Sequence, residues 1–169
     1  MNVKEMLQNK KLLAAIAALL VVVLLICLVA SGNKAEKTVN NYIKYMQKEN
    51  VEKLYKTLPK AIRSYLEDED YEEDYLEALE AGCESFNDNY DDCKFKVLDV
   101  SKMSEDDLED YEDMFEEMAD EMDAKLKVQA GRYVIVKVTD EDGNVMARTY
   151  EVLKVNGSWF MVSVLSMGY

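Results

Sequence analysis

The sequence contains no histidine, a single proline and only three cysteines among its 169 residues. The absence of imidazole excludes histidine acid/base catalysis, Ser-His-Asp and Cys-His nucleophiles, and most zinc sites, since all of these depend on that ring. A Cys-x-x-Cys redox pair is also missing. The side-chain chemistry left to the protein is that of carboxylates and tyrosines.

Positive charge is scarce, because 20 Lys and Arg residues face 34 Asp and Glu residues and leave a formal net charge of -14. Binding a phosphate backbone needs clustered basic residues, so this balance argues against nucleic acid as a partner. Asp140, Asp142 and Asn144 alternate in one acidic turn, but the full calcium-binding loop with its distal bidentate glutamate is missing. We predict neither a metal nor a cofactor.

The most prominent feature that is present is an apolar run at residues 12–30, LLAAIAALLVVVLLICLVA. As a helix these 19 residues span ~28 Å, which matches the hydrocarbon core of a bilayer. The run therefore predicts a transmembrane helix in contact with lipid. Cys27 lies inside it and is interpreted as a small membrane-buried hydrophobe.

The charges on either side of the run predict its orientation. The segment before it is basic and the chain after it is strongly acidic, so the positive-inside rule keeps residues 1–11 in the cytoplasm as a short stub. Residues 31–37 are then a linker, and residues 38–169 form one extracytoplasmic domain. The alternative is a cleaved signal peptide ending near Val29-Ala30-Ser31, although its apolar region should be only ~7 to 15 residues. We favour an uncleaved anchor and expect the protein in the cell membrane.

The first half of the predicted domain has apolar residues at helical spacing. Asn50 is a typical N-cap, Pro59 ends the helix that follows it, and Gly82 is expected to cap a later one. The clearest helix begins at the capping box Ser104-x-x-Asp107 and covers residues 104–123. Twelve of these 20 residues are acidic, and we interpret that face as a solvated surface.

The second half predicts four strands, because it is rich in Val, Ile and aromatic residues. The strands are expected at residues 94–101, 126–139, 145–155 and 158–165. Asn156-Gly157 is a strong hairpin signal, so the last three strands form an antiparallel meander. Gly131 predicts a bulge or sharp bend in the second strand. Apolar residues on both faces of the strands predict that both faces of the sheet are covered, by helices on one side and by a helix or a partner chain on the other. The fold class is α+β, with a helical half packed on a curved antiparallel sheet.

This order of elements resembles the nuclear transport factor 2-like fold, also called SnoaL-like or cystatin-like. The resemblance covers residues 35–169 and depends on the opening KTVNNYIKYMQKENVEKLYKTLP and on the terminal VNGSWFMVS. More narrowly, the chain looks like the single-pass, membrane-anchored bacterial envelope members, which are of unknown function. The helix at residues 104–123 departs from the simplest members. The resemblance implies a cone of helices enclosed by a bent sheet, and in the enzymes of the family a cavity carboxylate used with a tyrosine.

Two carboxylates are candidates for such a pocket. Asp99 and Glu151 each interrupt a predicted strand whose neighbours are apolar, so either could face the cone and acquire a tuned pKa. The competing interpretation places them on a wet sheet face or beside Arg132 or Arg148. We name no catalytic residue.

Cys83 and Cys93 lie ten residues apart in the part of the chain that we place outside the cytoplasm. In an oxidising compartment a disulfide would join the end of a helix to the start of a strand, which stabilises by up to ~2.7 kcal/mol. The alternative is two free buried thiols.

Taken together, these features predict a non-enzymatic binding or assembly module anchored in a bacterial envelope. The apolar outer sheet face predicts a homodimer or an envelope protein partner, and the small-molecule ligand, if there is one, is not identified. The alternative is an isomerase- or dehydratase-like enzyme with a pocket carboxylate and a tyrosine. A third interpretation is a sensor that acts through partners, because residues 1–11 are too few for a signalling domain.

Overall fold

The computed structural model describes residues 32–168, and the chain from Lys34 onward forms one compact unit. The predicted stub and the predicted transmembrane helix at residues 12–30 lie outside the described residues. Among the residues that are described, no helix is both long enough and apolar enough to cross a bilayer. Residues 32–37, which the sequence predicts as linker, belong to the first helix, where Ala35 is already buried in the core.

The described chain contains six α-helices and a terminal 3-10 turn. The first helix, α1, is described over residues 32–47. The others are α2 (Val51–Tyr55), α3 (Lys60–Asp68), α4 (Glu72–Tyr90), α5 (Glu105–Glu121) and α6 (Val162–Leu165), and the 3-10 turn covers Ser166–Gly168.

Two predicted caps are confirmed. The Asn50 side chain accepts a hydrogen bond from the Lys53 amide at 3.2 Å, and Ser104 Oγ accepts one from the Asp107 amide at 3.1 Å. The predicted cap at Gly82 is wrong, because α4 continues through it to Tyr90. A Cβ atom at Gly82 would lie 2.9 Å from Met167 Sδ, so this glycine permits close packing instead.

The sheet has four antiparallel strands in the order β1-β2-β3-β4, which confirms the α+β class and the meander. Its strands are β1 (Lys94–Lys102), β2 (Val128–Thr139), β3 (Val145–Val155) and β4 (Ser158–Met161). The tight turn between β3 and β4 has positive φ at both Asn156 and Gly157, as the Asn-Gly signal predicts.

Two details of the predicted strands are wrong. The last strand ends at Met161, and the chain continues as α6 because Val164 and Leu165 are buried in the core and the Val164 carbonyl accepts a hydrogen bond from Tyr75. The bulge predicted in β2 is present, but it lies between Val128 and Ala130 and not at Gly131 itself. Gly131 instead allows a close approach, since a Cβ atom there would lie 2.2 Å from Met103 Sδ.

The two faces of the sheet have different cover. The inner face is the side of β2 on which Val134, Val136 and Val138 are fully buried. Helices on that side supply an aromatic cluster in which Tyr42 lies 5.9 Å from the Tyr150 ring, and Phe86 stacks on Phe95 with centroids 5.8 Å apart. This face is the main core of the molecule.

The outer face, to which Tyr133 and Leu153 belong, is covered by α5 near the end of β3. Phe115 of α5 is 1% exposed and packs edge-on against Phe160, with ring centroids 5.9 Å apart. The other end of the same sheet remains open, and Val145 at the start of β3 is 59% exposed. The expectation of cover on both faces is therefore correct for only one end of the sheet.

Candidate functional site

A cleft lies where α3, the start of α4, the end of α5 and α6 meet. It has a volume of about 340 Å³, and we call it the tyrosine cleft. Its lining residues are Ile62, Tyr65, Leu66, Tyr71, Asp74, Tyr75, Glu121, Met122 and Leu165.

The lining of the tyrosine cleft is apolar and aromatic, with negative charge at its rim. Ile62, Tyr75 and Leu165 are buried, whereas Tyr71 is 51% exposed. Asp74 and Glu121 are both exposed, and no Lys or Arg lines the cleft. The cleft can therefore hold an apolar or aromatic group and attract a positive charge beside it.

The sequence candidate Glu151 belongs to a separate network of carboxylates and tyrosines under α5. The Tyr111 hydroxyl donates to Glu151 Oε2 at 2.6 Å. On the neighbouring strand Tyr133 pairs in register with Glu151, and its interaction with Asp107 at the start of α5 shifts the pKa values of both groups. The network joins α5 to the outer face of the sheet.

Burial and the carboxylates of this network act on its tyrosines in the same direction. Burial and then the hydrogen bond to Asp107 raise the pKa of Tyr133 to about 12. Burial, followed by the Glu151 contact, raises the pKa of Tyr111 further. Hydrogen bonds from Ser104 and then Tyr133 lower the pKa of Asp107. Both tyrosines thus stay protonated donors and Asp107 stays an ionised acceptor at neutral pH.

Asp99 does not line the tyrosine cleft, and it lies on the same outer face as the network. The register of β1 shifts between Val97 and Asp99, so Asp99 pairs with Ile135 of the outer face instead of a core valine. Its side chain is exposed. Without this bulge, strand alternation from Phe95 and Val97 would turn Asp99 toward the core.

The two arginines that the sequence offered as ion-pair partners contact aromatic rings. The Arg148 guanidinium lies 5.5 Å from the Tyr90 ring centroid and donates to the Tyr90 hydroxyl. Arg132 lies 5.8 Å from the Trp159 ring. Within residues 32–168, neither arginine forms an ion pair with Asp99 or Glu151.

Both cysteines of the described chain are free thiols in the structure. Cys83 is fully buried in α4, where its Sγ lies 3.8 Å from Met46 Sδ, and burial raises the pKa of its thiol to about 11. Cys93 is half-buried just before β1. The disulfide between them stays a prediction.

The acidic turn at Asp140, Asp142 and Asn144 lies next to a second acidic turn that contains Asp91 and Asp92. Asp140 accepts hydrogen bonds from the amide and the side chain of Asn144, at 2.7 Å and 2.9 Å. Between the two turns, a hydrogen bond with Asp92 raises the pKa of Glu141. No group of three or more metal-ligating side chains in residues 32–168 is arranged to hold an ion.

No protein-family model matches the chain, and no curated protein or solved structure is significantly similar to it.

Proposed function

We propose that this chain is a single-pass, membrane-anchored binding or assembly module without catalytic activity, whose extracytoplasmic domain has a nuclear transport factor 2-like cone. The apolar run at residues 12–30 and its basic flank support the anchor. The element order supports the fold, because helices come first and hairpin-linked strands come last. The tyrosine cleft is the recognition site.

The composition of the tyrosine cleft is the observation that supports this function best. Its buried floor takes up apolar surface, while Tyr71 at the mouth and the carboxylates of Asp74 and Glu121 favour a cation. We therefore expect the partner to be an envelope protein that presents an apolar or aromatic side chain next to a Lys or Arg.

The same cleft is poorly suited to acid/base catalysis. A general base is tuned by burial or by a close charged partner, whereas Asp74 and Glu121 are exposed. An isomerase- or dehydratase-like enzyme would have to use the Tyr111 and Glu151 pair instead. That pair packs between α5 and the sheet, and neither residue lines the tyrosine cleft.

Site-specific photo-crosslinking tests the proposed recognition site in the full-length chain, in the cells that produce it. A photoreactive residue at Tyr71 should give one discrete adduct with another envelope protein. The double variant Asp74→Asn/Glu121→Gln should reduce the adduct, and the charge-matched control Glu73→Gln/Glu77→Gln should not, because those exposed residues do not line the cleft. Absence of an adduct at Tyr71, or equal loss in both variants, would contradict the proposal.

Self-association is a second mode of assembly, favoured by the uncovered end of the sheet. Val145 at that end is 59% exposed, and Leu98 at the bulge of the edge strand β1 is 56% exposed; exposed apolar patches mark interaction surfaces. A photoreactive residue at Leu98 should then crosslink two copies of this chain. A strict monomer in analytical ultracentrifugation at high concentration would exclude the homodimer.

A further inference from the structure

A second cleft has the opposite charge to the tyrosine cleft. It has a volume of about 410 Å³ and lies between α1, α2, α3 and β4; we call it the basic cleft. Its lining residues are Thr38, Asn41, Lys56, Thr57, Leu58, Lys60, Arg63, Ser158 and Trp159. Three of these are cationic and none is acidic.

That composition is unusual in this chain. Acidic residues outnumber basic ones by 34 to 20, and the tyrosine cleft and two further clefts each contain at least two carboxylates. Of the three cations, Lys56 has an ion-pair partner in Glu52, at 3.2 Å, and that pair is exposed. Exposed pairs of this kind contribute little. The basic cleft therefore keeps a local excess of positive charge.

A buried arginine lies next to Trp159, one of the residues that line the basic cleft. Arg132 is 8% exposed, lies 5.8 Å from the ring of Trp159 and donates to the Gly131 carbonyl at 2.8 Å. No carboxylate in residues 32–168 forms an ion pair with it. Buried charges are ordinarily paired, because desolvation without compensation is costly. An anion near Trp159 would supply the missing negative charge.

We propose that the basic cleft binds a phosphate group. Lys60 and Arg63 provide ammonium and guanidinium donors, which are the groups that recognise phosphate in proteins. Thr38, Thr57 and Ser158 add hydroxyl donors, and Asn41 adds an amide. Lys60 is the first residue of α3, where a cation opposes the helix dipole and a bound anion offsets it.

The phosphate group can belong either to a free phosphorylated compound or to the headgroup of an anionic lipid, since both present the same chemistry to the basic cleft. The lipid source depends on the proposed membrane anchor. Thr38 follows residue 30 by eight residues, so the extended chain limits its distance from the predicted span to roughly 30 Å. Trp159 belongs to a residue type enriched at membrane interfaces.

Trp159 is the single tryptophan of the chain, so its fluorescence reports on the cleft directly. The full-length chain in neutral detergent is titrated with inorganic phosphate, and the chain in phosphatidylcholine vesicles is compared with the chain in vesicles that also contain phosphatidylglycerol. A response to inorganic phosphate indicates a free compound as the source. A response to phosphatidylglycerol alone indicates the lipid headgroup.

Two charge-matched variants complete the test. Lys60→Gln/Arg63→Gln should weaken the response about tenfold or more, since hydrogen bonds to charged groups are worth that much. Lys125→Gln/Lys127→Gln, whose lysines line a different cleft, should leave it unchanged. Lys60→Gln alone alters one exposed side chain and provides the same test if the double variant fails to fold.

The proposal is overturned if neither probe changes the fluorescence, or if the control lysines matter as much as Lys60 and Arg63. Failure of the anchor is measured separately, by whether the parent chain floats with vesicles of phosphatidylcholine alone. A chain that does not float but responds to inorganic phosphate would contradict the proposed function and support the basic cleft.

Discussion

The two faces of the sheet are covered by different kinds of contact. The inner face packs against helices through buried valines and an aromatic cluster. Within residues 32–168 the outer face is covered by α5, through Phe115 and through the tyrosine–carboxylate network. Both sets of contacts contain tyrosines whose pKa is raised, Tyr150 on the inner face and Tyr133 on the outer face. The two faces differ in how much they bury, because several fully buried side chains hold the inner face and only a few contacts fasten α5 to the outer face.

This difference extends to the two clefts. Glu121 and Met122 at the end of α5 line the tyrosine cleft, whereas no residue of α5 lines the basic cleft. Release of α5 should open the first cleft and leave the second intact. Substitutions can weaken the cover of one face at a time.

The largest effect is expected on the inner face. Leu79 of α4 is fully buried, and Leu79→Ala should lower the free energy of unfolding by ~2 to 5 kcal/mol because it leaves a cavity. Urea denaturation of the full-length chain in detergent, followed by Trp159 fluorescence, measures it. The neighbouring exposed residue provides the control, since Glu80→Ala should stay within ~0.5 kcal/mol. Equal losses in both variants would mean that α4 does not form the core.

A smaller effect is expected where the outer face meets the loop before α5. A Cβ atom at Gly131 would lie 2.2 Å from Met103 Sδ and 3.2 Å from Leu108 Cδ1. Gly131→Ala should therefore cost ~1 to 3 kcal/mol through overpacking. Hydrogen exchange should accelerate in α5 and stay unchanged in α4. Met103→Ala in the same chain should restore part of the loss, and a simple sum of the two losses would contradict the contact.

A single hydrogen bond of the network should matter less. Tyr111→Phe removes the donor to Glu151, which is worth about 1 kcal/mol for a typical hydrogen bond. Tyr71→Phe, at an exposed position outside the network, should change the free energy of unfolding by less than ~0.5 kcal/mol. Thermal unfolding of both variants beside the parent measures the difference, and indistinguishable variants would remove the network as a fastening for α5.

Alkaline pH should weaken the same fastening. The pKa of Tyr133 is about 12 in the folded chain against about 10 in the unfolded one. The folded state therefore keeps a proton that the unfolded state loses, and its contribution is complete below pH ~10 and disappears as the pH rises toward 12. Denaturation midpoints measured across that range should fall more steeply in the parent than in Tyr133→Phe. Identical slopes would contradict the shift.

The reactivity of the two thiols reports on the accessibility of α4 and of the start of β1 without a substitution. Cys93 is half-buried and should react with a thiol reagent in the native chain, whereas fully buried Cys83 should react only as α4 opens. The reagent is added to native and then to denatured protein without reduction. Two reactive thiols from the extracytoplasmic domain in denatured, unreduced protein would exclude the disulfide. If no thiol of that domain reacts until a reductant is added, the disulfide is established.

The sequence was informative wherever the relevant interactions are local. The capping box at Ser104, the Asn156-Gly157 turn and the four strands depend on neighbouring residues, and the structure confirms them. The predicted helix cap at Gly82 is wrong, because the role of this glycine is set by Met167, which is 85 residues further along the chain. Local composition cannot distinguish a cap from a close contact.

The candidate site was harder to predict because it depends on register and distant contacts. Asp99 would face the core by simple alternation, and one bulge moves it to the exposed outer face. Glu151 was a reasonable candidate, but its partner Tyr111 lies 40 residues earlier. Both clefts combine residues from several elements, so charge counts along the chain gave no sign that Lys60, Arg63 and Trp159 come together.

The tyrosine cleft should recognise a partner only while α5 covers the outer face, because the end of α5 lines the cleft. The yield of the Tyr71 crosslink, compared in the parent and in folded Gly131→Ala, tests it most directly. We predict a discrete adduct in the parent and a strongly reduced yield in the variant, because the end of α5 forms one wall of the cleft. Equal yields in the two chains, with α5 shown by hydrogen exchange to be released, would contradict the claim.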